Sequence, residues 1–396
     1  MKKFIYIILA SALFATSCEK ELPTTYPDGE LPIYLGYMQF STGVRDTRAH
    51  LAEVMQGKDF GVIGFKYSPT SDWGTVKSTH TPGDWFYDQE VSCLNDGTCT
   101  YSPLKQWENN NYAFFAYHPY KGAGITLSGN SQVNTPTLTY TYSWLTTTGN
   151  ISLYDSNSPS FDLMTAEAID VNGSGSGRVD LEFEHRLFAF EVLANNYNET
   201  TYKYKTDEEG NKIYELDENK NKIVDVSAAQ KITGLTLTLE GLTNTQMVIP
   251  LSMRDGEADP VYTAGTISER TFKVSDDPLI IPAFNETIER TFNGETETCG
   301  AGVATSISKY GSSNGGYLFL IPQAGTAKGI TGTLNWAELD SFQNKNEVQN
   351  EFTSTIDFEP GILYQIHINF VGDGITIALI EAGTWDSSPE VEHTFE

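Results

Sequence analysis

Residues 112–117, Tyr112-Ala113-Phe114-Phe115-Ala116-Tyr117, form a short run of aromatic and small side chains between polar stretches. Similar runs lie on both sides of it, Gly61-Val62-Ile63-Gly64-Phe65 before it and Thr137-Leu138-Thr139-Tyr140-Thr141-Tyr142 after it. Aromatic and β-branched residues favour pleated strands, and clusters of turn residues separate these runs at close intervals. Helical periodicity is confined to residues 51–56 and 162–168. The pattern predicts an all-β protein built as a sandwich or a barrel.

The composition indicates a folded and strongly acidic chain. Its 396 residues suffice for two ordinary domains or one large all-β domain, and 39% of them are apolar, which excludes wholesale disorder. Acidic residues outnumber basic ones 52 to 25, so the net charge is −27. Nucleic-acid phosphates and anionic lipid headgroups both require a basic surface, and the charge therefore argues against both as partners.

The N-terminus predicts an export signal over residues 1–17. Two lysines precede an apolar stretch, residues 4–14, which is too short to span a bilayer as a helix. Small residues and a cysteine follow, which resembles a lipobox, where a signal peptidase cuts between Ser17 and Cys18 and the thiol then carries a lipid. An ordinary secretory signal with a chance cysteine, or a short anchor helix, is the alternative. We expect acylation of Cys18, with palmitate among the acyl chains, and a polar tether over residues 18–30.

Two cysteines lie on either side of a predicted tight turn. Cys93 and Cys99 flank Leu-Asn-Asp-Gly-Thr, whose Asp-Gly pair is a strong turn signal. Cysteines that face each other across a hairpin in an exported protein predict a disulfide. A zinc site is the alternative, but neither a second cysteine pair nor a nearby histidine supports it. Cys299 has no partner in this scheme, and no metal or other cofactor is expected.

A Gly-Ser run at residues 173–177 interrupts the series of strands and indicates a flexible break. We predict an N-terminal β-sandwich domain over residues 31–175 and a C-terminal one over residues 176–396. The second carries a charged insertion, residues 201–226, in which a ten-residue pattern starting at Asp207 occurs twice. Two copies are too few for a solenoid, and we interpret the insertion as a solvated hairpin.

The sequence predicts no catalytic residue. It contains no G-x-S-x-G and no H-E-x-x-H, and the Gly-Ser run is not followed by the Lys-Ser or Lys-Thr of a phosphate loop. His118, His185 and His367 lie beside or within predicted strands, where a hydrogen-bonded structural histidine is far commoner than a catalytic base. Trp107 and Trp385 are candidates for carbohydrate platforms, although burial beside strands explains them equally well.

Several short motifs occur in a fixed order over most of the chain. They are Thr47-Arg48-Ala49, Asp59-Phe60-Gly61-Val62-Ile63-Gly64-Phe65, Tyr101-Ser102-Pro103-Leu104-Lys105-Gln106-Trp107, Phe114-Phe115-Ala116-Tyr117-His118-Pro119-Tyr120, Asp162-Leu163-Met164-Thr165-Ala166, Leu181-Glu182-Phe183-Glu184-His185, and Gly361-Ile362-Leu363-Tyr364 followed by Trp385. Each motif is weak alone, but together they resemble the fimbrillin family, the lipoprotein-derived pilins of type V pili in Bacteroidales. The chain departs from the family at His118, where tyrosine is usual, and in the insertion at residues 201–226.

The resemblance implies a fold of two tandem transthyretin-like, Greek-key β-sandwich domains and a role without catalysis. Pilins of this family are exported as lipoproteins to the outer membrane and cut by an arginine-specific protease. The cut removes the first strand, and the C-terminal strand of another subunit fills the groove, which is donor-strand exchange. The implied partners are other pilus subunits, in a homo- or hetero-polymer, and receptors on host or bacterial surfaces. A surface glycan-binding lipoprotein of β-sandwich type is the alternative function.

The resemblance also points to a cleavage site. The first strand is predicted over residues 33–41, and Arg45 and Arg48 follow it in a polar, turn-like context. We favour Arg48 because Thr47-Arg48-Ala49 is the better match to the family and because an acidic residue, Asp46, follows Arg45. A covered strand followed by two arginines that nothing cuts is the alternative.

The C-terminal tail is the candidate donor strand. Apolar and polar residues alternate over residues 390–396, with Val391, His393 and Phe395 on one face and acids mostly on the other. A strand that lays one face into a groove has this pattern. The tail is short, and a frayed terminus would show a similar pattern.

Overall fold

The chain is nearly all β in its computed structural model. A single-turn helix, α1 (Trp73–Val76), is the only helix among the described residues, and the Asp72 carboxylate caps it by accepting the backbone N–H of Thr75. No helix of the described part is long and apolar enough to cross a membrane. The structure describes residues 38–44, 57–94, 98–142, 151–152, 162–172, 177–240, 244–252, 259–265, 271–273, 279–292, 295–300, 304–307, 318–322, 328–338, 345–348, 352–354, 358–372, 374–384 and 391–394.

Thirty short strands make up most of this described part. The first ten are β1 (Gln39–Val44), β2 (Asp59–Tyr67), β3 (Gln89–Cys93), β4 (Cys99–Thr100), β5 (Asn111–His118), β6 (Ile125–Ser128), β7 (Thr137–Thr141), β8 (Ile151–Ser152), β9 (Met164–Asn172) and β10 (Arg178–His185). The next ten are β11 (Phe188–Asn196), β12 (Thr201–Tyr202), β13 (Tyr204–Thr206), β14 (Lys212–Tyr214), β15 (Val224–Val226), β16 (Gln230–Glu240), β17 (Asn244–Pro250), β18 (Val261–Ala264), β19 (Thr271–Lys273) and β20 (Leu279–Ile281). The last ten are β21 (Thr287–Phe292), β22 (Glu295–Gly300), β23 (Thr305–Ser306), β24 (Leu318–Leu320), β25 (Lys328–Glu338), β26 (Lys345–Val348), β27 (Phe352–Ser354), β28 (Ile362–Val371), β29 (Gly374–Thr384) and β30 (Val391–Thr394).

The first sheet has the strand order β1-β10-β9-β5-β2-β3-β4. All its pairs are antiparallel except β1 with β10, which run parallel with Phe40 opposite Val179. At its centre, β2 and β5 pair with Ile63 opposite Phe115. The aromatic runs that predicted the strands therefore form the middle of this sheet.

Both faces of β2 and β5 are buried, and each face belongs to a different hydrophobic core. Phe60 and Phe114 pack in one core with β1 and β10, whereas Ile63 and Phe115 pack in the other core with β11 and β28. Gly61 allows a close approach, because a Cβ at this position would overlap the ring of Tyr117. A strand buried on both faces reads as a continuous apolar run, as these two do.

Three further sheets contain most of the remaining strands. The second sheet has the order β23-β11-β28-β29-β30, with β24 also on β11, and its central β11–β28 pair is parallel. A third sheet has the order β26-β25-β16-β19-β8, with β20 on β16 and β27 on β25, and a fourth has the order β18-β17-β7-β6. Alternating buried and half-buried residues along β28 place one of its faces in the core.

The domain boundary that the sequence predicts at residue 175 does not coincide with a boundary between sheets. Strand β10 starts after residue 175, yet it lies in the first sheet between β1 and β9. Strand β7 lies before residue 175 and pairs with β17 after it, with Leu138 opposite Ile249. Because β9 and β10 are adjacent antiparallel strands, the Gly-Ser run between them joins two strands of one sheet.

The insertion at residues 201–226, here called the blade, is a small β structure of four short strands. Strand β13 pairs with β14, and β12 pairs with β15. The repeated sequence forms the same turn twice: Asp207 Oδ1 accepts the backbone N–H groups of Glu209 and Asn211, and Asp217 Oδ1 accepts those of Asn219 and Asn221. Such carboxylate-to-backbone bonds are typical Asx turns, which explains the ten-residue repeat.

Candidate functional site

Strand β1 lies at one edge of the first sheet as far as the structure describes it, and its ladder partner among the described strands is β10. It pairs with β10 from Gln39 opposite Arg178 to Val44 opposite Phe183. Beyond the ladder, the backbone N–H of Met38 donates to the carbonyl of Lys105 at 2.9 Å. An edge strand of this kind is the part of a sheet that can leave with the fewest broken hydrogen bonds.

The side chains of β1 nevertheless belong to a core. Met38 is 1% exposed and Phe40 is 5% exposed. The ring of Phe40 contacts four other rings at centroid distances of 5.5 to 6.5 Å, those of Phe60, Phe86, Tyr101 and Phe114. Without β1, these rings would line an apolar groove beside the unpaired backbone of β10.

Tyr101 holds the start of β1 from the opposite side of this core. Its hydroxyl donates to the carbonyl of Met38 at 3.1 Å and accepts the backbone N–H of Lys105 at 3.2 Å. Burial raises the pKa of Tyr101 above its ordinary value of 10.0, so the hydroxyl keeps its proton and remains a donor at neutral pH. The sequence motif over residues 101–107 indicated this segment, but our sequence reasoning gave Tyr101 no role.

The predicted cysteine pair lies close to β1. Cys93 and Cys99 stand opposite each other in the β3–β4 pair, and a disulfide joins them. Cys93 is buried, and its Sγ lies 4.0 Å from the hydroxyl oxygen of Thr42 on β1. Cys299 is buried. The disulfide thus ties together the two strands that approach β1 across the core.

The proposed processing residues fall outside the described part of the chain. Cys18, Ser17, Arg45 and Arg48 all lie there, and so do residues 33–37 of the predicted first strand. The described strand ends at Val44 rather than at residue 41, because its ladder with β10 continues through Thr42 and Val44. Arg45 is therefore the residue that directly follows β1.

The C-terminal tail forms the last strand of the second sheet. Strand β30 runs antiparallel to β29, with Val391 opposite Glu381 and His393 opposite Leu379. Phe395 lies outside the described residues. The structure thus places the candidate donor strand at an edge of its own sheet, where it has one strand neighbour among the described residues.

The histidines are engaged in local contacts. His118 Nδ1 lies 2.8 Å from the carbonyl oxygen of Asp59, and burial lowers the pKa of His118 from its ordinary value of 6.5. His185 Nδ1 lies 2.7 Å from a carboxylate oxygen of Asp162, and both side chains are buried. His367 Nδ1 lies 3.2 Å from Asn195 Nδ2, and its Nε2 lies 3.2 Å from Gln365 Oε1.

No group of three or more His, Cys, Asp or Glu side chains in the described part has the arrangement of a metal site. Trp107 is 2% exposed, and its indole N–H donates to the carbonyl of Gly177 at 3.0 Å. Trp107 is therefore a buried structural residue, and its ring is not available as a carbohydrate platform. Trp385 lies outside the described residues.

Comparison with known proteins extends these observations. A family model described as fimbrillin-like matches residues 47–385. A fimbrial protein from Bacteroides vulgatus has a structure similar to this chain, with a TM-score of 0.53 at 15% identity over 91% of this chain and 99% of that one. A fimbrial assembly protein from Parabacteroides distasonis aligns with a TM-score of 0.36 at 10% identity, over 91% of this chain and 99% of that one. No protein of curated function matches the chain. The likeness to the Bacteroides vulgatus protein shows a shared fold.

Proposed function

Because the chain belongs to the fimbrillin-like family, we propose that it is a structural and adhesive subunit of a cell-surface fimbria. In this proposal, a protease removes the first strand, and the C-terminal strand of another subunit takes its place. The subunit performs no catalytic step. Its partners are other pilus subunits, and surface receptors are the targets of the finished fimbria.

The observation that carries the proposal is the position of β1. Its backbone is bonded to β10 alone in the sheet, while Phe40 reaches into a core of four aromatic rings. Burial of one phenylalanine side chain contributes about 2–3 kcal/mol. A strand that replaced β1 would regain both the ladder and the apolar contacts, so exchange of one strand for another is close to balanced in free energy.

The ends of the two edge strands also suit such an exchange. Arg45 follows the last residue of β1 directly, and Arg48 lies three residues further on. At the other terminus, β30 is an edge strand of four residues. A short edge strand has few backbone bonds to lose when it leaves its own sheet for another subunit.

The test uses an arginine-specific protease on the purified full chain, followed by gels of unheated samples. We expect cleavage after Arg48 and a ladder of polymers. Arg48→Ala is expected to block both, Arg45→Ala to block neither, and truncation before Glu390 to permit the cut but abolish the ladder. A chain that is cut at Arg48 and stays monomeric at high concentration would contradict strand exchange, and a non-polymerising cap or a glycan-binding lipoprotein would then be the better assignment.

Attachment to the outer membrane is a separate part of the proposal and rests on Cys18. Several acyl chains on one N-terminus would hold the protein firmly, since each buried methylene contributes about 0.8 kcal/mol. Metabolic labelling with palmitate followed by detergent partitioning should give labelled, detergent-phase protein in the wild type and neither in Cys18→Ala. Unlabelled, water-soluble protein from wild-type cells is the result that contradicts the anchor.

A further inference from the structure

The blade is a β structure without a core of its own. None of its 26 residues is buried, and it exposes large apolar side chains on both of its faces. These include Tyr204 at 48%, Ile213 at 56%, Leu216 at 54% and Val224 at 42% exposure. Exposed apolar side chains gathered in one small element are the mark of a contact surface, and a thin sheet with no covered face is marginally stable alone.

The two faces of the blade differ in chemistry. One of them, called the tyrosine face, carries Tyr202, Tyr204, Tyr214, Lys212 and Lys222. The Lys212 ammonium lies 4.3 Å from the ring centre of Tyr204, and the Lys222 ammonium lies 4.1 Å from that of Tyr214 and 5.3 Å from that of Tyr202. Such cation–π contacts hold the two ammonium groups in place while they remain exposed.

The acidic residues of the blade lie elsewhere. Asp207 and Asp217 lie in the two turns, and Glu215 pairs with Lys205 on the opposite face, at 3.5 Å. Neither Lys212 nor Lys222 forms an ion pair with any carboxylate that the structure describes. The tyrosine face thus presents two ammonium groups among aromatic rings on a chain whose net charge is −27, with one carboxylate of the main body, that of Glu286, hydrogen-bonded to Tyr202.

The blade is fixed at its root to the main body. The backbone N–H of Thr200 donates to Asn285 Oδ1 at 2.9 Å, and Asn285 Nδ2 donates back to the carbonyl of Thr200 at 2.9 Å. The hydroxyl of Thr200 accepts the backbone N–H of Ala228 at 3.1 Å, which closes the base of the insertion. The tyrosine face is therefore presented from a defined place.

That place is the end of the second sheet toward which the C-terminal tail runs. Strand β11 ends at Asn196 beside Phe370, and the blade follows within five residues. Strand β30 begins with Val391 opposite Glu381 and ends with Thr394 opposite Ala378. It therefore runs toward the Gly374 end of β29, which lies at the same end of the sheet as Phe370. While β30 stays paired with β29, its described end at Thr394 therefore lies toward the side of the sheet that carries the blade.

We propose that the tyrosine face of the blade binds a second copy of this chain, a neighbouring copy in the polymer; this inference rests on the proposed function. A neighbouring copy offers a surface with 52 acidic against 25 basic residues, which two ammonium groups on an aromatic face complement. Copies of so acidic a chain repel one another, and a basic contact surface offsets that repulsion where they meet. The contact also covers exposed aromatic side chains of the tyrosine face, such as that of Tyr204.

The first experiment maps the contact directly. The photo-reactive residue benzoylphenylalanine replaces Tyr204 on the tyrosine face, or Ile213 on the opposite face as a matched control, in the full chain. After protease treatment and assembly, irradiation should link copies through position 204 and give much less product through position 213. If copies assemble and position 204 yields no copy-to-copy product, the proposal is wrong.

The second experiment tests the charges. Lys212→Glu with Lys222→Glu should weaken assembly about tenfold, measured as the protein concentration at half-maximal ladder formation, with a smaller difference at high salt. Lys203→Glu with Lys205→Glu changes the net charge equally on the other face and should change that concentration less than twofold. Equal effects of the two pairs would assign the loss to net charge and overturn the proposal.

These readouts separate the proposal from the strand exchange on which it rests. If truncation before Glu390 leaves the ladders intact, strand exchange through the tail fails, and the cross-link at position 204 still decides the blade contact in those ladders. If no ladders form at all, the intact chain at high concentration is irradiated, and absence of a copy-to-copy product there overturns the contact. A product with a glycan in place of a second copy does so too and would make the tyrosine face a carbohydrate site.

Discussion

The centre of the first sheet and the blade are both rich in aromatic residues, and they have opposite environments. In β5, Tyr112, Phe114 and Tyr117 are all buried, whereas Tyr204 and Tyr214 of the blade are largely exposed. This difference arises because other elements pack against both faces of β5, whereas no residue of the blade is buried. Aromatic content alone therefore does not tell a core strand from a surface one. Global stability should depend on the first sheet and hardly on the blade, and four predictions test that division.

The largest effect is expected at the edge of the first sheet. Phe40→Ala removes a ring that four others surround, and we expect the free energy of unfolding to fall by about 3–5 kcal/mol. Urea denaturation followed by tryptophan fluorescence measures it. The matched change in the blade, Tyr204→Ala, should stay within about 0.5 kcal/mol of the wild type. Similar losses for the two variants would break the comparison.

A smaller effect is expected where the sheet is tightly packed. Gly61→Ala places a methyl group against the buried ring of Tyr117, whose hydroxyl donates to Asp88 at 2.6 Å. The ring must move, and we expect a loss of about 1–3 kcal/mol in the same denaturation experiment.

Gly210 provides the contrasting position in the blade. Its φ is +87°, and nothing lies within 4 Å of an added Cβ. The only cost of Gly210→Ala is backbone strain. The substitution should therefore loosen the turn at Asp207 and leave the unfolding transition of the first sheet unchanged. A larger global loss for Gly210→Ala than for Gly61→Ala would contradict this account.

The pH dependence of stability should also trace to the first sheet. Burial lowers the pKa of His118 below 6.5, so the unfolded chain binds this proton more readily than the folded one. Stability should therefore fall through His118 as the pH drops below its ordinary value of 6.5, the pKa in the unfolded chain, toward the lower pKa of the folded state. Charged groups near His118 are Asp59, Asp162 and Lys58.

The variant His118→Gln isolates this contribution. Glutamine keeps a donor for the Asp59 carbonyl and does not titrate, so the decline in unfolding free energy over this pH range should be shallower than in the wild type. His80, which lies beside Tyr67 outside the strands, gives the control variant His80→Gln, and the decline should be shallower in His118→Gln than in this control. Identical profiles for all three proteins would show that His118 has no part in the decline.

The smallest global effect is expected in the blade. Asp217→Ala removes the carboxylate that accepts the backbone N–H groups of Asn219 and Asn221. Hydrogen exchange at these two amides should speed up about fivefold, while the unfolding free energy of the whole chain changes by less than about 0.5 kcal/mol. Faster exchange in β5 of the same variant would show that the blade and the first sheet unfold together.

Local patterns predicted much of this fold. The aromatic runs marked β2, β5 and β7, the Asp-Gly turn placed Cys93 opposite Cys99, and the ten-residue repeat located the blade. These signals arise between residues that are close together in the sequence, because apolar periodicity and turn chemistry each act over only a few positions.

Contacts between distant segments could not be predicted in this way. The Gly-Ser run suggested a domain boundary, but the strands on either side of it pair with each other. The role of Tyr101 depends on Met38, 63 residues away, and nothing in the local pattern specifies that contact. Likewise, the parallel pairing of β1 with β10 follows from the packing of Phe40 in a core whose members are scattered over the chain.

The separation between β1 and β10 has a consequence for the order of events during synthesis. Ser41 and its hydrogen-bonding partner Asp180 are 139 residues apart, so β1 emerges from the ribosome long before the strand it pairs with. Strands β2, β5 and β9 can pair before β1 has a place in the sheet, because closure of so long a loop is slow. Until β10 is made, β1 has no strand in this sheet to pair with. Once β10 is in place, tethering gives β1 a high effective concentration beside it, which favours pairing within the chain over pairing with a strand of another chain.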